Sequence, residues 1–371
     1  MEPPAHTIRR DPLFDVVKAL MMLWVVWGHF SRWGVVSGPL EPAPFMENAK
    51  GALNMPVFFA IGGYLAFSSF QKGSWAKIAS RVIGLLWPIA AFGLVFAICL
   101  VATNGWNGWR WLVRFPVLRL LHSHWFLRTY AAVYLLSAIV YRLFRNDTTR
   151  LFGFALLYGA MLFWPARLRE CLFWIGGTPT IHMFPFFVVG LIPFRWFPLW
   201  KSNWIAVSCA IFFLFVVLVI PDFNGAGLNF WTAPVHWRMV FASIKNLAAL
   251  LGRIALGVSG TVAVLWCLDH LLRRFPRLSS LSVFGTTTLG VYVLHEWPLI
   301  QLGKSGIACL PLPCWTRWPL ALVWFVVCHF IVVGIRRLPV LRLFFFGEES
   351  MLCRMLERAF FARELATSST Q

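Results

Sequence analysis

The sequence is poor in charged residues, and especially in acidic ones. Only 13% of its 371 residues are charged, and 33 lysines and arginines face 14 aspartates and glutamates, which gives a net charge of +19. A water-soluble domain carries about 25% charged residues, whereas a disordered chain contains few of the aromatic residues that make up 17% of this one. The composition therefore excludes both an ordinary soluble enzyme and a disordered protein.

Motifs for several kinds of function are also missing. The sequence contains no Walker or GxGxxG phosphate loop, and no grouping of His, Cys and carboxylates has the spacing of a metal site. Binding to nucleic acid would explain the positive charge, but 21 Trp and 36 Phe residues are too many for a soluble DNA-binding protein of this size to bury. We therefore expect neither a metal cofactor nor a nucleic-acid partner.

The eight cysteines form no CxxC pair. Most of them lie in apolar runs, where a thiol behaves as a small hydrophobic group. Cys309 and Cys314, in the segment CLPLPC, look like loop residues. They could form a disulfide if that loop faces an oxidising compartment.

Long apolar segments dominate what is present. A membrane-spanning helix needs about 20 largely apolar residues, and ten segments approach or exceed that length. We therefore predict an all-α, polytopic membrane bundle of about ten transmembrane helices in contact with the lipid bilayer. The segments are 13–33, 51–70, 78–103, 124–144, 151–165, 180–194, 204–220, 254–272, 283–303 and 317–335.

The charges between these segments predict the orientation of the chain. Lysine and arginine accumulate on the cytoplasmic side of a membrane, and they do so here if both termini are cytoplasmic. The first apolar segment is interrupted by Asp15 and Lys18 and lacks a cleavage site, so we interpret it as a span and not as a signal peptide. We expect a cytoplasmic N-terminus (1–12), a membrane domain (13–337) and a cytoplasmic amphipathic tail (338–371).

The first span carries three ionisable residues on one face. At 100° per residue, Lys18 and His29 lie about 20° apart around the helix, and Asp15 lies about 40° from His29. Ionisable groups inside a membrane are costly and therefore indicate function. Lys18 and His29 are separated by about 16 Å along the axis and Asp15 and His29 by about 21 Å, so Asp15 is expected to balance Lys18. The stripe could be a substrate path, a proton relay or a catalytic site.

Further polar residues lie in the next two spans. Asn54 interrupts the apolar second span and Tyr64 adds a hydroxyl, although helix packing alone would explain both. Lys77 and Arg81, spaced four residues apart beside Lys72, open the third. Such a basic cluster suits the phosphate groups of a nucleotide-like donor, although anchoring of the helix to the cytoplasmic face explains it equally well.

Five motifs in order resemble one known family. They are RRDPLFDVVKALMMLWVVWGH, MPVFFAIGGYL, KIASRVIGLLWP, HSHWFL and GVYVLHEWP. Together they resemble the integral-membrane acyltransferase-3 family of sugar O-acyltransferases, over roughly residues 10–300. The segment FPFFVVGLIPF is similar to the subgroup related to fucose 4-O-acetylases.

The resemblance implies an activity and a set of partners. Members of the family move an acyl group, usually acetyl, from cytoplasmic acyl-CoA to a hydroxyl of a glycan or lipid-linked sugar, which implies a bacterial inner membrane, acyl-CoA as co-substrate and no bound cofactor. By position, His29 matches the histidine of the basic-x10-His motif, Lys18 its basic residue and Asp15 the acidic residue of the same helix. Gly62-Gly63-Tyr64 stands where relatives usually have Ser-Gly-Tyr or Ser-Gly-Phe.

The resemblance also assigns residues in three later spans. Arg81, with Lys77 at a looser position, matches the basic pair associated with the acyl-CoA side. Trp125 and Phe126 match a tryptophan-phenylalanine pair of the family, and His295 matches the histidine of the ninth span.

Acyl transfer to an alcohol requires a base, and an imidazole is well suited to that role. We expect His29 to be the base, and Glu296 is a candidate for the carboxylate that orients it if the ninth span packs on the first. The oxyanion that develops on the thioester also needs hydrogen-bond donors. The candidate donors and acceptor-binding residues are Asn54, Tyr64, His124, Trp125 and His182.

Two other functions remain open on the residues alone. In a secondary transporter, the Asp15, Lys18 and His29 stripe would be a proton relay that drives movement of a sugar or small metabolite. Such a protein should show two corresponding halves, and we find no internal repeat. A scaffold for polysaccharide export would not need ionisable residues within a span.

Overall fold

The computed structural model describes residues 11–32, 44–104, 110, 124–162, 177–219, 244–304 and 316–347. Every regular element within these ranges is helical. In the described ranges, six helices are long and apolar enough to cross a membrane, and shorter helices pack among them. The prediction of an all-α polytopic bundle is therefore confirmed.

Each of the ten apolar segments coincides with one helix of 15 residues or more in the described ranges. Six of these helices, α1, α2, α3, α4, α8 and α10, meet the length and hydropathy of a membrane span. The ten helices are α1 (Pro12–Arg32), α2 (Pro44–Lys72), α3 (Trp75–Asn104), α4 (Trp125–Leu143), α5 (Asp147–Leu162), α6 (Gly177–Leu191), α7 (Asn203–Val219), α8 (Ile244–Arg274), α9 (Thr288–Lys304) and α10 (Arg317–Arg337).

Helix α1 lies inside the bundle. It packs against α2, α8, α9 and α10, and also against the one-turn helix Ser282–Gly285 that precedes α9. By contrast, α7 and α10 carry large apolar side chains on the outside, such as Trp204 and Phe330. Such surfaces suit lipid, and the polar stripe of α1 is shielded from it.

Glycines bring α2 and α6 unusually close together. A Cβ atom at Gly63 would overlap the backbone carbonyl of Phe187, and one at Gly190 would overlap that of Ala60. A Cβ atom at the neighbouring Gly62 would meet the ring of Tyr130 on α4. Small residues allow helices in a membrane to pack through their backbones. In this chain the Gly62-Gly63 pair is used for packing.

A short helix follows α10 and folds back onto α3. In this helix, α11 (Pro339–Phe346), the carbonyl of Phe344 accepts a hydrogen bond of 2.7 Å from the indole nitrogen of Trp87. Phe345 packs on Phe92 with ring centroids 4.5 Å apart. The start of the tail therefore joins the bundle. The N-terminus (1–10), Cys309, Cys314 and residues 348–371 lie outside the described residues, and the domain division stays a prediction.

Candidate functional site

Two histidines from distant parts of the sequence meet between α1 and α9. Nδ1 of His29 lies 3.0 Å from Nε2 of His295, and the two rings stack with centroids 4.9 Å apart at an interplanar angle of 26°. His295 is completely buried and His29 is partly buried. The ninth span therefore packs on the first, which is the condition under which Glu296 is a candidate for the orienting carboxylate.

The hydrogen bonds around this pair determine where the protons lie. Nδ1 of His295 is 3.0 Å from the carbonyl oxygen of Val291, one helical turn earlier. A carbonyl can only accept, so Nδ1 of His295 donates and the Nε2 of the neutral ring is an acceptor. Nδ1 of His29 must then donate to it. This arrangement leaves Nε2 of His29 as the basic nitrogen of that ring.

Glu296 lies beside a third histidine. Its carboxylate is 3.8 Å from Nε2 of His124. At Nδ1 of His29 the structure places the imidazole of His295, and the role of Glu296 as an orienting carboxylate stays a prediction.

His124 precedes α4 in an unusual backbone conformation. Its φ of 53° and ψ of 43° are left-handed, a region that non-glycine residues seldom adopt and that costs about 1–3 kcal/mol. Its buried ring reaches α9, where Nε2 is 3.3 Å from the carbonyl oxygen of Val293 and the ring meets that of Tyr292 edge-on. Because strained backbones cluster at functional sites, His124 belongs with the candidate site residues.

Asp15 and Lys18 form the ion pair that their spacing on α1 predicts. The carboxylate and ammonium groups are 2.5 Å apart, and both side chains are mostly buried. The pair lies about 16 Å along the helix axis from His29. It is therefore a separate feature at the other end of the stripe. We name the two ends of the bundle the Lys18 end and the His29 end.

A cavity of about 360 Å³ lies between these two ends. On α1 it is lined by Lys18, Met22 and Val25, the last of which precedes His29 by one turn. On α9 it is lined by Thr288, Leu289 and Tyr292, and the ring of Tyr292 is 5.9 Å from that of His295. The cavity therefore runs along both helices toward the histidine pair. Side chains of α2, α3 and α4 complete its apolar wall, among them Met55, Phe58, Leu85, Phe126 and Tyr130.

The Lys18 end of the cavity is basic. Arg81 from α3 and Arg336 from the last turn of α10 line it together with Lys18. One guanidinium nitrogen of Arg336 donates a hydrogen bond of 2.8 Å to the carbonyl of Thr286. Lys72 and Lys77 are exposed and do not line the cavity. Of the three residues predicted to hold acyl-CoA, the structure thus places only Arg81 there.

The remaining predicted residues are spread through the bundle. Tyr64 packs on Phe14 and Trp200, with ring centroids 4.9 Å and 5.8 Å away. Since Phe14 lies 15 residues before His29 on α1, about 22 Å along the axis, Tyr64 is at the Lys18 end and far from the histidine pair. Asn54 is buried, and its side-chain oxygen has no hydrogen-bond partner among the described residues.

Trp125 and His182 lie on different helices. Trp125 begins α4 directly after His124, and its ring packs edge-on against Phe126, which lines the cavity. His182 is buried on α6, a helix that packs against α2, α4 and α5. The structure therefore brings Trp125 close to the site and places His182 on a helix that does not line the cavity in the described part of the chain.

Several residues around the site escaped the sequence analysis. The indole nitrogen of Trp324 donates to the carbonyl of His295 at 3.3 Å. Trp27 stacks on Trp318 at 5.1 Å, and the ammonium of Lys50 lies 5.5 Å from the centroid of the Trp27 ring. Tyr292 had a usable signal, since it precedes His295 by three residues on one helix face. Arg336 had none, because it resembles an ordinary cytoplasmic anchor.

Comparison with models of protein families gives a match that covers most of the chain. Residues 12–337 match the family model of the acyltransferase-3 acyltransferase domain. The protein belongs to the acyltransferase-3 family. No curated protein and no solved structure matches the chain. This protein is thus a membrane acyltransferase, and the likeness to the fucose 4-O-acetylase subgroup stays a prediction.

The family places an acyl donor and an acceptor on this acyltransferase, and the histidine pair offers the chemistry they need. Among the described residues, no three His, Cys, Asp or Glu side chains are grouped as they would be around a metal ion. A neutral imidazole with a defined proton position is suited to take a proton from an alcohol. The acyltransferase-3 protein therefore has a pair of hydrogen-bonded imidazoles next to a cavity with one basic end.

Proposed function

We propose that this protein transfers an acetyl group from cytoplasmic acetyl-CoA to a hydroxyl of a glycan or lipid-linked sugar, with His29 as general base. The observation that carries the proposal is the hydrogen-bond chain from Val291 through His295 to His29. It directs the proton of His29 to Nδ1 and so leaves Nε2 to accept one. The proposal includes a bacterial inner membrane and cytoplasmic termini.

The reaction needs one proton to move twice. Nε2 of His29 accepts the proton of the acceptor hydroxyl while the hydroxyl oxygen attacks the thioester carbonyl. The carbon–oxygen bond forms, the carbon–sulfur bond breaks, and His29 returns the proton to the departing thiolate. The products are the O-acetyl sugar and CoA. His295 accepts the Nδ1 hydrogen bond throughout and holds the ring in place, so it acts as a positioning residue.

The cavity supports access of the donor from the Lys18 end. Lys18 and Arg81 supply positive charge there, and the walls formed by Met22, Phe58 and Leu85 are apolar. A CoA thioester has a phosphorylated end and an uncharged arm. The phosphorylated end matches the basic end of the cavity, and the arm matches its apolar walls. The thioester then arrives next to Val25 and Tyr292, beside the histidine pair.

We propose a protonated His124 as the oxyanion donor. Its Nε2 donates to the carbonyl oxygen of Val293 beside the carboxylate of Glu296, so a second proton, on Nδ1, is required to bind the oxyanion. The His124 ring contacts Tyr292, which lines the cavity and also contacts His295. Stabilisation of the developing oxyanion contributes more to acyl transfer than most other effects. Tyr64, which lies at the opposite end of α1, has no part in this step.

The test uses the purified full-length protein in proteoliposomes with labelled acetyl-CoA. Release of CoA and transfer of label to an envelope glycan fraction should both depend on His29, and His29→Ala should lower the rate by about 100- to 10,000-fold. His270→Ala is the matched control, because His270 is exposed on α8. Mass spectrometry of envelope glycans from a deletion strain then identifies the acceptor.

Two outcomes would contradict the proposal. One is a His29→Ala protein with full transferase activity. The other is uptake of labelled sugar into the vesicles without release of CoA, which would instead support the transporter.

A further inference from the structure

Arg336 differs from the other basic residues at the ends of helices. Its neighbour Arg337 is exposed, whereas Arg336 is half-buried and lines the cavity together with Lys18 and Arg81. The bond to Thr286 holds its guanidinium, and the ring of Phe346 on α11 lies 5.0 Å from its central carbon. Two groups from separate elements thus position this side chain at the cavity.

The three basic side chains suit an anion with more than one negative charge. They come from α1, α3 and α10, so they surround the Lys18 end from different directions. Asp15 is paired with Lys18, and no acidic residue lines the cavity in the described part of the chain. A guanidinium carries five N–H donors, so one bond to Thr286 is compatible with a forked contact to phosphate oxygens.

The length of the cavity region agrees with the length of a pantetheine arm. Lys18 and His29 are eleven residues apart on one straight helix, which corresponds to about 16 Å. In a CoA thioester, about 13 covalent bonds separate the sulfur from the nearest phosphorus, and at the extension of a polypeptide chain they span about 15 Å. With the thioester beside His29, the diphosphate therefore reaches the Lys18 end.

We propose that Arg336 binds the diphosphate of the CoA donor at the Lys18 end of the cavity, together with Lys18 and Arg81. The inference rests on the proposed function and adds a binding residue to it. The hydrogen bond to the carbonyl of Thr286 fixes the orientation of the Arg336 guanidinium, so its N–H groups are positioned for a bidentate contact. Arg336 therefore contributes to donor affinity and has no part in the chemical step.

The experiment compares two variants with two donors. Arg336→Ala and Arg337→Ala each remove one positive charge from the same helix end, and only Arg336 lines the cavity. The donors are acetyl-CoA and S-acetyl-pantetheine, which lacks every phosphate. We expect Arg336→Ala to raise the KM for acetyl-CoA by about ten- to hundredfold and to leave kcat nearly unchanged. The KM for S-acetyl-pantetheine should not change, and Arg337→Ala should behave as the wild type with both donors.

An equal rise in KM for both donors, or no rise with acetyl-CoA, would overturn the proposal. If Arg336→Ala does not insert into the membrane, Arg336→Lys replaces it, since it keeps the charge and loses the fork. The lysine variant should show a smaller rise in KM that is again confined to acetyl-CoA, and a rise shared by both donors or none at all would refute the role.

The outcome is distinguishable from failure of the proposed function. If Arg336 has no role in binding, the loss of activity in His29→Ala still stands. If the protein is not a CoA-dependent transferase, neither donor is consumed by the wild type.

Discussion

The two ends of the cavity differ in their polar groups: those at the His29 end are joined by hydrogen bonds, and those at the Lys18 end are charged. At the His29 end, imidazoles and carbonyls form a buried chain in which each contact has a defined direction. At the Lys18 end, the polar groups are charged, and Arg81 among them is exposed to solvent. The first arrangement depends on geometry and the second on charge.

This difference predicts how the two ends respond to change. A chain of directional hydrogen bonds fails when one partner is removed, because the remaining partner loses its tautomer or its position. Exposed charges are screened by salt and partly replace one another. We therefore expect substitutions at the His29 end to lower kcat and those at the Lys18 end to raise the KM for the donor.

The largest effect after His29 itself should come from His295. Replacing His295 by Ala removes the acceptor of the Nδ1 hydrogen bond of His29, and kcat should fall by about 100-fold or more with little change in KM. His295→Gln keeps an acceptor oxygen and should recover part of that loss.

A buried histidine elsewhere provides the control for His295. His329 on α10 is also buried, and its Nδ1 lies 2.8 Å from the hydroxyl of Thr287. If His329→Ala and His295→Ala lose the same activity, and His295→Gln restores none, the role of His295 is structural. The distinction between a His29 end that acts on kcat and a Lys18 end that acts on KM then fails.

Removing one cation at the Lys18 end should have a smaller effect. We expect Arg81→Ala to raise the KM for acetyl-CoA by about tenfold with kcat preserved, and added salt to raise the KM of the wild type in the same direction. Lys77→Ala is the matched control, because Lys77 lies one turn away on α3 and is exposed. If both substitutions change only membrane insertion or expression and leave the KM for acetyl-CoA unchanged, these residues only anchor the helix.

A substitution at Glu296 tests whether its carboxylate takes part in the proton transfer by His29. Glu296→Gln should lower kcat by less than about tenfold, because the ring of His124 also contacts the carbonyl of Val293. A loss as large as that of His295→Ala would place Glu296 in the proton path of His29. The measurement is kcat with saturating acetyl-CoA for Glu296→Gln and His295→Ala, which distinguishes the small loss from the large one.

The smallest effect should come from Tyr64. Its ring lies with Phe14 and Trp200, far from the histidine pair, so Tyr64→Phe should change kcat and KM by less than about twofold. A large loss of kcat would mean that the hydroxyl group reaches the reacting atoms, contrary to its place in the structure.

Much of the architecture followed from local patterns in the sequence. Runs of apolar residues located the ten helices of 15 residues or more in the described ranges, because a helix in a bilayer must be apolar over its own length. The periodicity of a single helix was sufficient to align Lys18 with His29 and to predict the pairing of Asp15 with Lys18. These features depend only on residues that are neighbours along one helix.

Contacts between helices were harder to predict. His29 and His295 are 266 residues apart, and neither segment alone indicates that the two imidazoles share a hydrogen bond. Tyr64 seemed available as a donor until its helix was placed beside α1. The angle at which each helix presents its side chains depends on close packing, such as that at Gly63 and Gly190.

The sequence by itself determined that this protein is a helical membrane bundle with a line of ionisable residues on its first span. Hydropathy and helical periodicity act over a few turns and can be read from one segment. Only the tertiary structure decided that His295 sets the tautomer of His29 and that Arg336 belongs to the cavity. Those contacts join α1 to α9 and to α10, and they exist only once the helices are packed together.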